Sequence, residues 1–235
     1  MEKVKQHFEE EAHEFDAIIR HLIPYYEQML DALIAALPFN QSQAFHVIDL
    51  GCGTGTIAKR IKNVYPQANI TCVDIADKML QVAQTKLGVG EDVRYQIANF
   101  ENYEFDSIYE VAISSLALHH LVSDDDKIKF YKKIYSCLSP GGVFYNADNV
   151  LGSGSHLQGL YIEKWREYMY RQVSIEEIEQ KWIPKHYVED HPADLISQLT
   201  WLHDIGFIQI DVIWKYYNFA VYGGSKPRRL TRRSS

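Results

Sequence analysis

Three cysteines in 235 residues, Cys52, Cys72 and Cys137, are too few and too widely spaced for a disulfide framework or a zinc site. Each sits in an apolar stretch and reads as a reduced thiol, which points to a cytoplasmic protein. No apolar run reaches transmembrane length, and the charged, helix-patterned start "MEKVKQHFEEEAHEF" is unlike a signal peptide. No membrane partner is expected. Positive charge is also short: 24 basic residues face 31 acidic ones. Five of the basic residues lie in the tail "KPRRLTRRSS", so residues 1–225 carry 19 against 31, a net charge of −12. A body that acidic repels a polyanion on average. The tail reads as a solubilising end. No internal repeat or linker divides the chain, and one domain with a substantial core is expected.

What is present is alternation. "FHVIDL", "NITCVD", "DVRYQIA", "YEVAISSL" and "VFYNADNV" read as strands, separated by the helical patterns "TGTIAKRIKNVY", "ADKMLQVAQTKL" and "DDDKIKFYKKIYSCL". The last of these should stop at Pro140-Gly141-Gly142. After "PADLISQLTWLHDIGF", a helix closed by Gly206, two strands follow in a row and should pair antiparallel. The pattern predicts an α/β, Rossmann-like seven-stranded sheet with the last strand antiparallel and helices on both faces. Residues 1–40 form an N-terminal helical cap, with Pro24 in the first turn of a second helix. Residues 41–152 form the core, 153–190 an inserted helical lid rich in Tyr and Trp, 191–224 the last helix and strand pair, and 225–235 the basic tail. Folds of this kind bind ligands at the carboxyl ends of their strands, near the switch point.

The stretch "VIDLGCGTGTIA" places Gly51, Gly53 and Gly55 just past the first strand. A tight turn is one explanation. A dinucleotide fingerprint is another, since Gly53-x-Gly55-x-x-Ala58 formally matches it and Asp74 follows at about the right distance. In that fingerprint the first glycine follows the strand directly. This points to Gly51 and puts Thr56 where the third glycine belongs. Asp49 argues further against it: a carboxylate two residues before the glycines is unwelcome beside a pyrophosphate. It suits a ligand with an amino group, while Asp74 at the end of strand two can accept from both hydroxyls of a ribose.

Asp49-x-Gly51-x-Gly53-x-Gly55 resembles the first motif of class I S-adenosylmethionine (SAM) methyltransferases. Asp74 in "CVDIADKML", "LALHHL" after strand four and "LSPGG" before strand five resemble later family motifs in the same order. The likeness covers residues 40–150 and implies SAM as cofactor. Carried over residue by residue, it implies cofactor contacts from Asp49, Gly51, Cys52, Gly53, Gly55, Asp74, Ile75, Met79, Asn99, Phe100 and Ser115. Asn99 in "IANF" stands where the family usually has Asp. Within the family, "IPYYEQML", "SIEEIEQKW" and "YYNFAV" resemble the branch around the tRNA wobble-uridine carboxymethyltransferase, which uses carboxy-SAM. That resemblance adds Tyr26 to the cofactor contacts. It puts Trp201 where the branch holds the extra carboxylate with an arginine. Trp cannot make that bidentate bridge, so ordinary SAM is expected.

Methyl transfer from a sulfonium needs alignment and desolvation, and a base only when the nucleophile must lose a proton. His119 and His120 follow strand four and are the candidates for that proton. In "HHLVSDDD", Asp124 to Asp126 read as a helix start, so no metal is expected. Arg20, Tyr161, Trp165, Trp201 and Tyr216 are candidate substrate contacts. The expected activity is methyl transfer to an N, O or S nucleophile of a small molecule. A tRNA-modifying enzyme of the wobble-uridine type and a non-catalytic SAM-binding protein are the alternatives. A monomer or homodimer suits either.

Overall fold

The computed structural model describes residues 2–228, with only the backbone of Lys3. The part of the basic tail beyond residue 228 lies outside the described residues. Three helices open the chain: α1 (Glu2–Glu11), α2 (Phe15–Leu22) and α3 (Tyr26–Ala35). The core then alternates β1 (His46–Leu50), α4 (Thr56–Val64), β2 (Asn69–Asp74), α5 (Asp77–Leu87), β3 (Val93–Ile97), β4 (Tyr109–Ser115), α6 (Asp124–Cys137) and β5 (Leu138–Asn149). A helical segment follows: α7 (Ser155–Met169), α8 (Ile175–Glu177), a π turn (Ile178–Trp182) and α9 (Ile183–Glu189). The chain closes with α10 (Leu195–Ile205), β6 (Ile208–Tyr216) and β7 (Phe219–Ser225).

The sheet runs β3-β2-β1-β4-β5-β7-β6. The first five strands are parallel, and β7 is antiparallel to both β5 and β6. This is the α/β sheet with an antiparallel final strand that the alternation predicts. Strand side chains point alternately to opposite faces, and the two apolar layers divide accordingly. Val47, Val111, Ile113 and Val143 pack in one cluster with α3 and α4, and Ile48, Ala112 and Phe144 pack in the other with α6. Strand order reverses between β1 and β4, so their carboxyl ends diverge there and leave a crevice.

Two local details differ from the sequence pattern. Pro24 does not enter a helix: it stays in the turn, and Tyr25 at φ 53° precedes α3. β5 begins at Leu138, so Pro140, Gly141 and Gly142 lie in the strand's irregular start, with Gly141 at φ +85°. Elsewhere the punctuation follows the sequence. Ser123 and Asp194 side chains cap α6 and α10, and Gly206 closes α10 at φ +112°.

Gly223 shows how tightly β7 is fitted. A Cβ there would lie 1.9 Å from the Phe144 carbonyl oxygen, in the ladder that joins β7 to β5. Gly223→Ala should therefore lower stability by about 3 kcal/mol or more, measured by urea unfolding. A loss under about 1 kcal/mol would show that the ladder yields freely at this point.

Candidate active site

The crevice at the ends of β1, β2 and β4 is a cavity of about 780 Å³ including its open mouth. Its floor is the glycine loop, and each glycine has its own reason. A Cβ on Gly51 would strike the Ala117 Cβ at 2.2 Å, and one on Gly55 would meet Ala83 and Leu87 of α5 at 2.9 Å. Gly53 meets nothing closer than Phe15 at 4.0 Å, so its bare backbone faces open space. All three have positive φ. The loop is pinned from two sides. Thr54 and Thr56 hydroxyls donate to Asp16 of α2 at 2.6 and 3.1 Å, and Lys86 of α5 pairs with Asp16 and donates to both hydroxyls.

Two carboxylates face this cavity. Asp49 is 1% exposed, and neither of its oxygens has a hydrogen-bond partner. The Ala58 amide lies near enough to ease its charge without forming a bond of standard geometry. Burial, and next the charge of Asp74, pushes the Asp49 pKa up to about 7. Asp74 accepts from the Gly53 amide at 2.8 Å and the Ala76 amide at 2.9 Å. Burial raises it to about 6 against those two bonds. Ile75, Met79, Ala98 and Phe100 add apolar wall. An orphaned buried carboxylate fits an ammonium group, and Asp74 keeps lone pairs for a diol. No Lys or Arg lines this cavity among the described residues.

A second cavity, about 790 Å³ with its mouth, adjoins the first. Phe8, Phe15, Leu116 and His120 line both. Its outer wall comes from the helical segment through Trp165, Trp182, Lys185, His186, Glu189 and Asp190. Helix α1 spans the two cavities. Its Glu9 accepts the Asp77 and Lys78 amides at the start of α5, and its Glu11 pairs with Lys181 and Lys185.

The two histidines that follow β4 are held differently. Leu116 turns the chain at φ 52°, and a single 3-10 turn carries Leu118–His120. His119 Nδ1 lies 2.5 Å from Asp148 and its Nε2 3.4 Å from Asp190. Burial disfavours its charge, but the two carboxylates outweigh burial and raise it to about 10. His120 Nδ1 lies 3.2 Å from the Glu189 carbonyl. Burial, and next the positive His119 ring 4.2 Å away, lowers His120 to about 4. At neutral pH His119 is an imidazolium and His120 a neutral imidazole. The carbonyl can only accept, so His120 Nδ1 carries the proton and Nε2 keeps its lone pair.

The candidate residues from the sequence divide accordingly. Tyr26, Asp49, Gly51, Cys52, Gly53, Asp74, Ile75, Met79, Phe100, Ser115 and His120 share the first cavity, and His119, His120 and Trp165 share the second. Gly55 packs against α5 instead, and Asn99 turns to Glu101, accepting its amide and donating to its carboxylate. Arg20 pairs with Glu27, Tyr161 accepts from Lys215, and Tyr216 meets Tyr25 edge-on, none of them on the wall of either cavity. Trp201 packs in the α6 side of the core. Sequence reasoning missed Val4, Phe8 and Phe15; Phe8 and Phe15 stand seven apart in the sequence, a helical spacing, but lie on α1 and at the start of α2 with a turn between them. It also missed Asp190, for which the sequence holds no local signal.

A methyltransferase-domain family matches residues 47–142. The chain is similar to a carboxy-S-adenosyl-L-methionine synthase of Helicobacter pylori (strain HPAG1), 26% identical over 220 residues, covering 91% of this chain and 90% of that protein. Among solved structures, the DhpI–SAH complex matches with a TM-score of 0.64 and 17% identity over 95% of both chains. Human N-acetylserotonin methyltransferase in complex with SAM matches with a TM-score of 0.57 and 20% identity, over 84% of this chain and 51% of that one. At these identities the two structures establish the fold. None of the described helices is long and apolar enough to cross a membrane.

The His119 assembly has a signature in stability. Its pKa is raised on folding, so its contribution is complete below the unfolded value near 6.5 and is lost as pH rises through about 10. Thermal melts of the ligand-free protein should decline from pH 7 to pH 10. Asp148→Asn should start lower at pH 7 and decline less steeply. Parallel curves would remove Asp148 as the partner that holds the proton.

Proposed function

We propose that this chain, a class I SAM-dependent methyltransferase, transfers the methyl group by in-line displacement to a small-molecule nucleophile in the second cavity. His120 takes the nucleophile's proton, and the setting is the cytoplasm. The observation that carries the reading is the position of His120, on the shared wall of both cavities with its Nδ1 side turned to the Glu189 carbonyl. The residues present fit SAM. Asp49 would meet its ammonium group, Asp74 its ribose hydroxyls, and Ile75, Met79 and Phe100 its base. Bound there, SAM supplies a methyl group activated on a sulfonium.

The chain's own residues provide the remainder. The apolar walls exclude water from the junction of the two cavities. Neutral His120 offers its Nε2 lone pair to an O–H or N–H of the acceptor. His119 stays charged between Asp148 and Asp190, which keeps His120 neutral and fixes the turn that carries it. Asp148 is itself held by the His119 and Asn149 amides and by the Asn146 side chain.

Similarity along nearly the whole chain to proteins named carboxy-SAM synthase supports a second reading, in which this chain makes carboxy-SAM. An extra carboxylate would need a cation. The first cavity offers none among the described residues, and Trp201 lies in the other half of the core. The tRNA reading needs cations free for phosphates, yet Arg20, Lys164 and Arg166 on the lid side are each paired with a glutamate. A non-catalytic SAM-binding protein remains the third outcome of the test.

The test offers the purified protein SAM labelled in its methyl group together with a small-molecule extract and total RNA. Label should appear in the small-molecule fraction. Label confined to RNA, or none transferred, would overturn the reading. With the acceptor so found, His120→Gln should lower kcat by roughly 10²–10⁴-fold. Because His120 titrates at about 4, kcat at saturating SAM should stay level from pH 5 to pH 8. A fall centred near pH 6.5 would show that His120 is not the proton acceptor.

A further inference from the structure

The walls of the second cavity define more than its size. Half of its apolar lining is rings, Phe8, Phe15, Trp165, Trp182 and Phe219, set beside the aliphatic side chains of Ile18, Ile19, Leu22, Ile23 and Leu116. Several are fixed in place. The Trp165 indole donates to the Leu22 carbonyl at 2.7 Å, and the Trp182 indole donates to Glu177 at 2.9 Å. Rigid ring walls favour a flat aromatic guest, by area and by edge contacts.

Both cations on the walls, Lys185 and His119, are already paired within the protein. Glu11 pairs with Lys185 at 3.1 Å, and Glu189 lies 2.6 Å from His7. His119 is held by Asp148, and Asp190 by His119 and His186. An anionic guest would lose its water and gain no free cation, which disfavours it.

Two ring nitrogens remain at the polar end. His120 Nε2 is free, as above. His186 Nδ1 lies 2.8 Å from Asp190 Oδ2. The Asp190 carboxyl is pushed far below its ordinary range: burial opposes this, but the charge of His119 and the bonds from His119 and His186 prevail. It is therefore an acceptor only, and His186 Nδ1 must donate. With its proton on Nδ1, the ring has its Nε2 lone pair in the same cavity as that of His120.

Resting on the function proposed above, we infer that the methyl acceptor is an aromatic molecule without negative charge and with two adjacent hydrogen-bond donors, of the catechol type. One hydroxyl is methylated beside His120 and the other is read by His186. The oxygen lone pair forms the new O–C bond while the C–S bond breaks, its electron pair staying on sulfur as a neutral thioether. The hydroxyl proton passes to His120 Nε2 and on to solvent. His186 acts in recognition and sets the preference for a second donor.

The test uses the full chain saturated with S-adenosylhomocysteine and three probes in calorimetry: 2,3-dihydroxynaphthalene, 2-naphthol and 3-hydroxy-2-naphthoate. The diol should bind about tenfold tighter than 2-naphthol and tighter still than the carboxylate. In His186→Phe the preference for the diol over 2-naphthol should fall to near unity, and His186→Gln, which keeps an acceptor oxygen, should restore part of it. Equal or tighter binding of 3-hydroxy-2-naphthoate, or an undiminished diol preference in His186→Phe, would overturn the inference. Methyl transfer is read separately by mass spectrometry. Diol binding with no methylated product would leave the recognition assignment standing and remove the proposed chemistry.

Discussion

A carboxylate with no partner, deep in the fold, sets the terms for the rest of the site. Asp49 sits at the end of a central strand, 1% exposed, with both oxygens unsatisfied. A hydrophobic side chain there would fold more easily, because holding the ionised form in this position costs on the order of a few kcal/mol. The surrounding features are arranged around that charge. The glycine loop brings bare backbone alongside it, and Asp74 supplies a second carboxylate a strand away. No cation from the protein lines the cavity to neutralise the pair, among the described residues. The positive group must come with the ligand.

The N-terminal helices complete the site and join its two halves. Asp16 ties α2 to the glycine loop through Thr54, Thr56 and Lys86. Helix α1 lays Phe8 across the boundary of the two cavities and fastens its last turn with Glu9 on α5 and Glu11 on Lys181 and Lys185. Both cavities thus lie under one short helix held by a few polar contacts. Such an element opens more readily than the core it covers.

Much of the fold was legible because its signals are local. Alternating strands and helices, Gly88 and Gly206 at helix ends, and the short link between β6 and β7 each state their meaning within a few residues. The lining of the first cavity was legible for the same reason: an acid at a strand end followed by glycines is a pattern along the chain. Asn99 shows the limit, since its amide is captured by Glu101 two residues on, a local turn that competes with reaching the cavity. Trp201 shows another. Its place in the chain says nothing of which face of α10 meets the sheet, and that face carries it into the core. The second cavity was the least legible. Trp165, His186 and Asp190 converge only through the packing of the inserted helices on α2, while Tyr161 of α7 and Tyr216 of β6 pack elsewhere. The charge on His119 depends on Asp148 and then on Asp190, far along the chain, and His120 is lowered by burial and by His119 itself.

The most direct test of the account is one pair of measurements on Asp49→Asn, which keeps the shape and removes the charge. SAM affinity by calorimetry and the melting temperature of the ligand-free protein are compared with wild type at pH 8. The account predicts that SAM binding weakens at least about tenfold while the free protein melts at a higher temperature, because the buried charge serves the ligand at the expense of the fold. Undiminished SAM affinity in the variant would contradict it and return Asp49 to a purely structural role.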